Sequence, residues 1–105
     1  MGPKDEAAAW DRLLPELRSR GWEIELTCHY APVQLEGAVP SGELFYYRCR
    51  HETCALSIGG DDPVDGYDWM GERTTEGASS ASWLPPDDAV RILLDLHDEW
   101  LNLRA

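Results

Sequence analysis

The stretch ELFYYRCRHETCALSI, Glu43 to Ile58, decides the fold. Its side chains alternate. Phe45, Tyr47 and Cys49 fall on one side of an extended chain and Tyr46, Arg48 and Arg50 on the other; Cys54, Leu56 and Ile58 resume the apolar side after His51 and Glu52. A period of two is the signature of a half-buried strand. With His51-Glu52 as a two-residue turn, Cys49 faces Cys54, Tyr47 faces Leu56 and Phe45 faces Ile58, so every inward pair is apolar. A slip of one residue would turn a whole apolar set into water. The two cysteines and their intervening histidine therefore read as a hairpin rather than a metal knuckle.

The same alternation runs upstream. WEIELTCHY places Trp22, Ile24, Leu26, Cys28 and Tyr30 on one face, and VQLEGAV places Val33, Leu35, Gly37 and Val39 there. A three-residue loop, Ser41-Gly42-Glu43, sets Val39 opposite Phe45 and Leu35 opposite Cys49, and on the polar face brings Glu36 beside Arg48 and Gln34 beside Arg50. Between the first two strands Ala31-Pro32 cannot take the usual hairpin turn, because proline cannot adopt a positive φ; a cis-proline turn or a longer loop is expected.

Helical spacing brackets the strands. Asp5 to Arg20 puts Trp10, Leu13, Leu14 and Leu17 on one stripe and ends at Gly21, with Pro15 expected to kink it or to open a second short helix. The last segment opens on prolines and Asp87-Asp88, which suit a first helical turn, and carries Val90, Leu93, Leu94, His97 and Leu101 on its inward stripe. The expected fold is α+β: a four-stranded antiparallel β-meander with an N-terminal and a C-terminal helix packed on one face, in the order α-β-β-β-β-α. One domain spans 1–105, with helix over 5–20, sheet over 22–60, a long acidic loop over 61–83 and helix over 86–104.

The charge limits the partners. Nine basic against twenty acidic residues give a net charge of −11, which opposes direct nucleic-acid binding and anionic membranes. No apolar run follows a basic start and no window approaches a membrane span, so a cytoplasmic protein is expected, and its three cysteines are expected as reduced thiols, Cys49 and Cys54 among the core. One core in 105 residues leaves little room for a cofactor cavity, and no cofactor is assigned.

Several constellations resemble chemistry without completing it. Cys28, Cys49 and Cys54 with His29 or His51 offer zinc-ligand types, but Leu35 separates Cys28 from Cys49 by two strand spacings, roughly 9 to 10 Å, and His29 points to the opposite face. Asp61, Asp65, Gly66 and Glu72 fit a calcium-loop spacing, with Pro63 where a ligand oxygen belongs. His29, Glu36 and Arg48 share the polar sheet face, yet an open face excludes no water, and cross-strand charge pairs stabilise sheets without any catalysis. His97 sits on an apolar stripe, as a core-edge histidine does. No phosphate loop, nucleophile elbow or zinc-protease motif occurs.

The expectation is a non-enzymatic interaction domain, an inhibitor, immunity protein or adaptor for a protein with a basic surface. A zinc- or calcium-binding regulator and a small hydrolase are the alternatives. The partner-binding residues are expected to be Asp95, Asp98 and Glu99 on the last helix and Tyr46, Arg48 and Arg50 on the sheet, whose open face could also be covered by a second copy. No catalytic or metal-ligating residue is assigned.

Overall fold

A computed structural model of the chain describes residues 3–28, 33–76 and 84–104. Helix α1 (Pro3–Ser19) leads into strands β1 (Glu23–Cys28), β2 (Val33–Ala38), β3 (Leu44–Arg50), β4 (Thr53–Ile58) and β5 (Trp69–Thr74), and helix α2 (Pro86–Arg104) closes the order. The five strands pair in sequence, each antiparallel to the next. Both helices lie on the same side of the sheet. Their apolar stripes, Trp10, Leu13 and Leu17 of α1 with Ala89, Val90, Leu93, Leu96 and Trp100 of α2, bury Ile24, Val33, Leu35, Phe45, Tyr47, Leu56 and Ile58.

The sheet has one strand more than the alternation announced. β5 lies inside the segment expected as a loop over 61–83, pairing Ile58 with Trp69, Leu56 with Gly71 and Ala55 with Glu72. Its pattern is hidden because one of its inward positions is Gly71, which has no side chain to signal burial; the Trp69 ring fills that space, 2.6 Å from where a Cβ would stand. The turn before it ties Asp62 to Gly66 through a 2.6 Å hydrogen bond from the Gly66 amide. The Asp62 carboxylate accepts from the Val64 amide at 2.9 Å and that of Asp68 from the Gly60 amide at 3.0 Å. Glu72, the twelfth position of the calcium-loop spacing, is thereby carried off into a strand.

The central hairpin has the expected register, Cys49 opposite Cys54, Tyr47 opposite Leu56 and Phe45 opposite Ile58, and His51 takes the positive φ, 57°, that opens its turn. The expected reduced state of the cysteines is corrected: Cys49 and Cys54 are joined as a disulfide. Facing cross-strand side chains on one face are the closest pairs a sheet offers, which is what brings the two sulfurs together. The Tyr47 hydroxyl beside them donates to the Ala89 carbonyl of α2 at 2.7 Å, and the Cys49 sulfur lies 3.1 Å from that hydroxyl. Burial pushes the Tyr47 phenol far above its usual range, so it stays a donor.

The β2–β3 register differs from expectation by two residues. Val39 opposite Phe45 and Leu35 opposite Cys49 give way to Gly37 opposite Phe45, Leu35 opposite Tyr47 and Val33 opposite Cys49. The loop is Pro40-Ser41-Gly42, one residue earlier than expected: the Gly42 amide donates to the Val39 carbonyl at 2.8 Å, Pro40 presets the turn, and Gly42 takes φ 102°, the left-handed step that ends a three-residue hairpin loop. An even shift keeps every side chain on its own face but changes its neighbours. In particular, Glu36 faces Tyr46 and Gln34 faces Arg48, so the expected Glu36–Arg48 and Gln34–Arg50 neighbours are not formed.

Three smaller differences have physical causes. α1 runs unbroken through Pro15, whose missing amide would have bonded the carbonyl of exposed Asp11, a group that water can satisfy. On α2 the buried stripe takes in Ala89, Leu96 and Trp100, Leu94 is half-buried and Leu101 is 40% exposed, so the inward face is turned from the one expected. β1 loses register between Leu26 and Cys28, and the expected turn at Ala31-Pro32, with His29 and Tyr30, lies outside the described residues.

Candidate functional site

With the helices on one side, the other side of the sheet is open. Its outward rows follow from the registers: Glu23, Ala38 and Leu44; then Glu25, Glu36, Tyr46, Ser57 and Met70; then Gln34, Arg48, Ala55 and Glu72; then Arg50, Thr53 and Thr74. The small residues Ala38 and Ser57 are buried between larger neighbours, whereas Leu44 is 46% exposed. Gly37 belongs under this face. Its φ of 149° and the Glu23 carbonyl against the place of its missing Cβ let β1 and β2 close on one another.

Charge on this face is segregated. Glu25 sits directly opposite Glu36 across the β1–β2 ladder, with Glu23 one row away, while Arg48 and Arg50 stand together on β3. Like charges directly opposed destabilise a sheet. None of the three glutamates meets a cation among the described residues, and neither Arg48 nor Arg50 meets an anion there. The contrast with the rest of the molecule is sharp. Arg12 pairs with Asp87 at 2.8 Å, Arg20 with Glu16 at 2.8 Å, Arg73 with Glu99 at 2.9 Å, Arg91 with Asp88 at 3.2 Å and Arg104 with Glu43 at 2.9 Å. Arg18 is spent on the Ile24 carbonyl at the β1 edge, with its closer nitrogen at 2.8 Å, and Arg73 also takes the Glu72 carbonyl of the β5 edge strand at 3.0 Å. An arginine thus blunts each edge strand against pairing with another chain.

The acidic end of the open face forms an open cleft of about 830 Å³. Glu23, Glu25, Glu36 and Asp62 supply its charge, Leu44 and Val64 its apolar contact, and the Asp62-Pro63-Val64 turn one wall. Among the described residues that line it, the one cation is Arg18, already committed to backbone. A second cleft, of about 390 Å³ at the end of α2, is served from within: Arg104 lies 4.4 Å over the Trp100 ring and reaches Glu43.

The six residues expected to bind a partner fall on two surfaces. Tyr46, Arg48 and Arg50 lie on the open face, and exposed Asp95, Asp98 and Glu99 lie on α2 across the sheet from it. Glu99 is tied to Arg73, whereas Asp95 and Asp98 have no ion pair among the described residues. Of the cleft acids, the sequence singles out only Glu36, on the polar face with His29 and Arg48; Glu23 and Glu25 stand outward in the alternation, but their grouping with Glu36 and Asp62 depends on the register and on the turn preceding β5. His97 is core-edge, as its stripe suggested, with Trp22 at 4.7 Å and Trp100 at 5.8 Å between ring centroids. Burial lowers its pKa, against a smaller pull upward from Asp98 and Glu43, and its buried Nε2 has no hydrogen-bond partner.

The fold and face together describe an α+β domain with a half-covered antiparallel meander, and among the described residues no helix is long and apolar enough to cross a membrane. No protein-family model, no curated protein and no solved structure matches the chain.

Proposed function

We propose that this is a small non-enzymatic, cytoplasmic binding domain, an inhibitor, immunity protein or adaptor, that takes a basic segment of a protein partner against the acidic end of its open sheet face. The observation that carries the reading is the Glu25–Glu36 pair: two carboxylates held directly across a ladder, beside Glu23 and Asp62, in an open cleft of about 830 Å³, with no ion pair to either among the described residues. Cross-strand repulsion of this kind costs stability, roughly 0.2–1 kcal/mol, and a cation supplied from outside would relieve it. Leu44 and Val64 beside the acids offer the apolar contact that turns charge attraction into a seated complex. Asp95 and Asp98 on the opposite side of the molecule extend the attractive field and steer approach rather than hold the partner. A hydrolytic reading has less support, because the open face offers no enclosed volume, and a metal-binding reading has less because the acids line a broad cleft rather than converge on a point.

Titration of the protein at low concentration with a short oligo-arginine peptide tests this by calorimetry. Glu25→Gln/Glu36→Gln is expected to weaken binding by about tenfold, flatten its salt dependence and raise the melting temperature by a few degrees, since it removes the repulsion and the attraction together. Unchanged affinity in a folded double variant would place the site elsewhere.

A further inference from the structure

The open face carries its own complement. Among the described residues, the two arginines without an anion and the glutamates without a cation share one surface, separated along the strands. Within one chain they do not meet: Arg48 looks across to Gln34 on one side and Ala55 on the other, and Arg50 to Thr53. Between two chains they can. A two-fold axis lying across the strands, over the Tyr46–Arg48 segment of β3, reverses the strand direction of the second copy. It sets that copy's Arg48 above the row of Tyr46, Glu36 and Glu25, and its Arg50 above the row of Leu44, Ala38 and Glu23. By symmetry the first copy's arginines reach the second copy's cleft, as a self-complementary two-fold contact requires.

We propose that the open sheet face is the interface of a reversible homodimer in which Arg48 and Arg50 of each copy occupy the acidic cleft of the other. The proposal rests on the cleft being a site for basic groups and names its first occupant, a second copy of this chain. A basic partner then binds in competition with self-association.

The size of the face sets the strength. Five strands at about 4.8 Å spacing and six residues at about 3.3 Å rise make a face roughly 20 Å on a side, below the about 800 Å² per partner of a standard stable interface. The dimer is therefore weak and concentration-dependent. The net charge of −11 per chain works against it, but at physiological ionic strength the Debye length is about 8 Å, so the opposed rows decide the contact more than the distant acids. Tyr46, half-buried at the centre, and exposed Leu44 and Met70 add the apolar surface that charge pairs alone lack.

Sedimentation velocity on charge-exchanged variants tests the proposal. Wild type is expected to show a reversible dimer at hundreds of micromolar. Arg48→Glu/Arg50→Glu sets acid on acid in a homodimer, and Glu25→Arg/Glu36→Arg sets base on base, so each alone is expected to be monomeric at that concentration, with native circular dichroism. An equimolar mixture of the two restores complementary contacts at both ends of the face and is expected to dimerise. If either variant fails to fold, Arg48→Gln/Arg50→Gln gives the same reading, with at least a tenfold rise in the dimer dissociation constant. Wild type that stays monomeric at about 1 mM, or a folded mixture that stays monomeric, overturns the proposal. The oligo-arginine peptide separates this from the cleft reading. It is expected to bind the Arg48→Glu/Arg50→Glu protein more tightly than the self-occupied wild type. A monomeric wild type that binds the peptide through Glu25 and Glu36 ends the dimer and keeps the cleft, whereas no peptide binding by any of these proteins removes the cleft and the dimer with it.

Discussion

His97 shows how one residue can be legible by type and not by consequence. Its helical stripe announced a core-edge histidine, but that its Nε2 would be shut in with no partner, between Trp22 and Trp100, needed the packed structure. A histidine buried neutral has a lowered pKa in the fold, so the unfolded chain binds the proton first. Stability is therefore full above the unfolded value of about 6.5 and is lost as pH falls from there through the lowered folded value. Asp98 and Glu43 act on the imidazole in the other direction and soften the loss; Arg104 nearby is engaged by the Trp100 ring and Glu43. Urea unfolding at pH 7.5 and at pH 5.5 is expected to give a lower midpoint at the acid value for wild type and a much smaller difference for His97→Phe. Equal pH sensitivity in both proteins would assign the effect to the carboxylates.

At the scale of elements, the sequence announced whatever is periodic and side-chain-dense. Four strands, both helices and the Cys49–Cys54 register could be read because an apolar residue marks every inward position of the central hairpin. β5 could not, because Gly71 leaves one of its inward positions blank and the Trp69 ring fills the space from a neighbouring residue. The β2–β3 register was missed for a different reason: Pro40-Ser41-Gly42 and Ser41-Gly42-Glu43 both offer a glycine and both keep the faces right, so alternation could not choose between them, and the expected charge pairs moved apart with the true loop. The disulfide tests the hairpin's own stability. Its closed loop is short, so the chain-entropy gain is only about 2 kcal/mol, and both cysteines are fully buried in the core beside it. Once reduced, the Cys49 thiol has an acceptor ready in the Tyr47 hydroxyl 3.1 Å away. Adding dithiothreitol is expected to lower the unfolding free energy by about 2 kcal/mol while leaving the near-ultraviolet spectrum of the buried aromatics unchanged. A collapse of that spectrum would mean the covalent link, and not the packed face, holds β3 to β4.

Over the whole molecule, the chain spends its few cations with economy. Five of its eight arginines pair with acids and Arg18 serves a strand edge, which leaves, among the described residues, an acidic cleft and a basic pair without ion-pair partners on one open face. The α2 acids lie behind the sheet and act at a distance. Amide replacement of Asp95, Asp98 and Glu99 together is expected to slow association with an oligo-arginine peptide a few-fold at low salt and to have no effect near 1 M salt, where the Debye length is about 3 Å, with stability lowered by no more than about 1 kcal/mol through loss of the exposed Arg73–Glu99 pair. Stopped-flow rates across a salt series read both arms. The most direct test of the account is to map where that peptide lands, by amide chemical-shift changes in the labelled protein. The largest changes are expected at Glu23, Glu25, Glu36, Leu44 and at Asp62 and Val64 of the turn, around the cleft, with the α2 amides of Asp95 and Asp98 nearly still. Changes centred on Asp95 and Asp98 with a silent sheet face would contradict it.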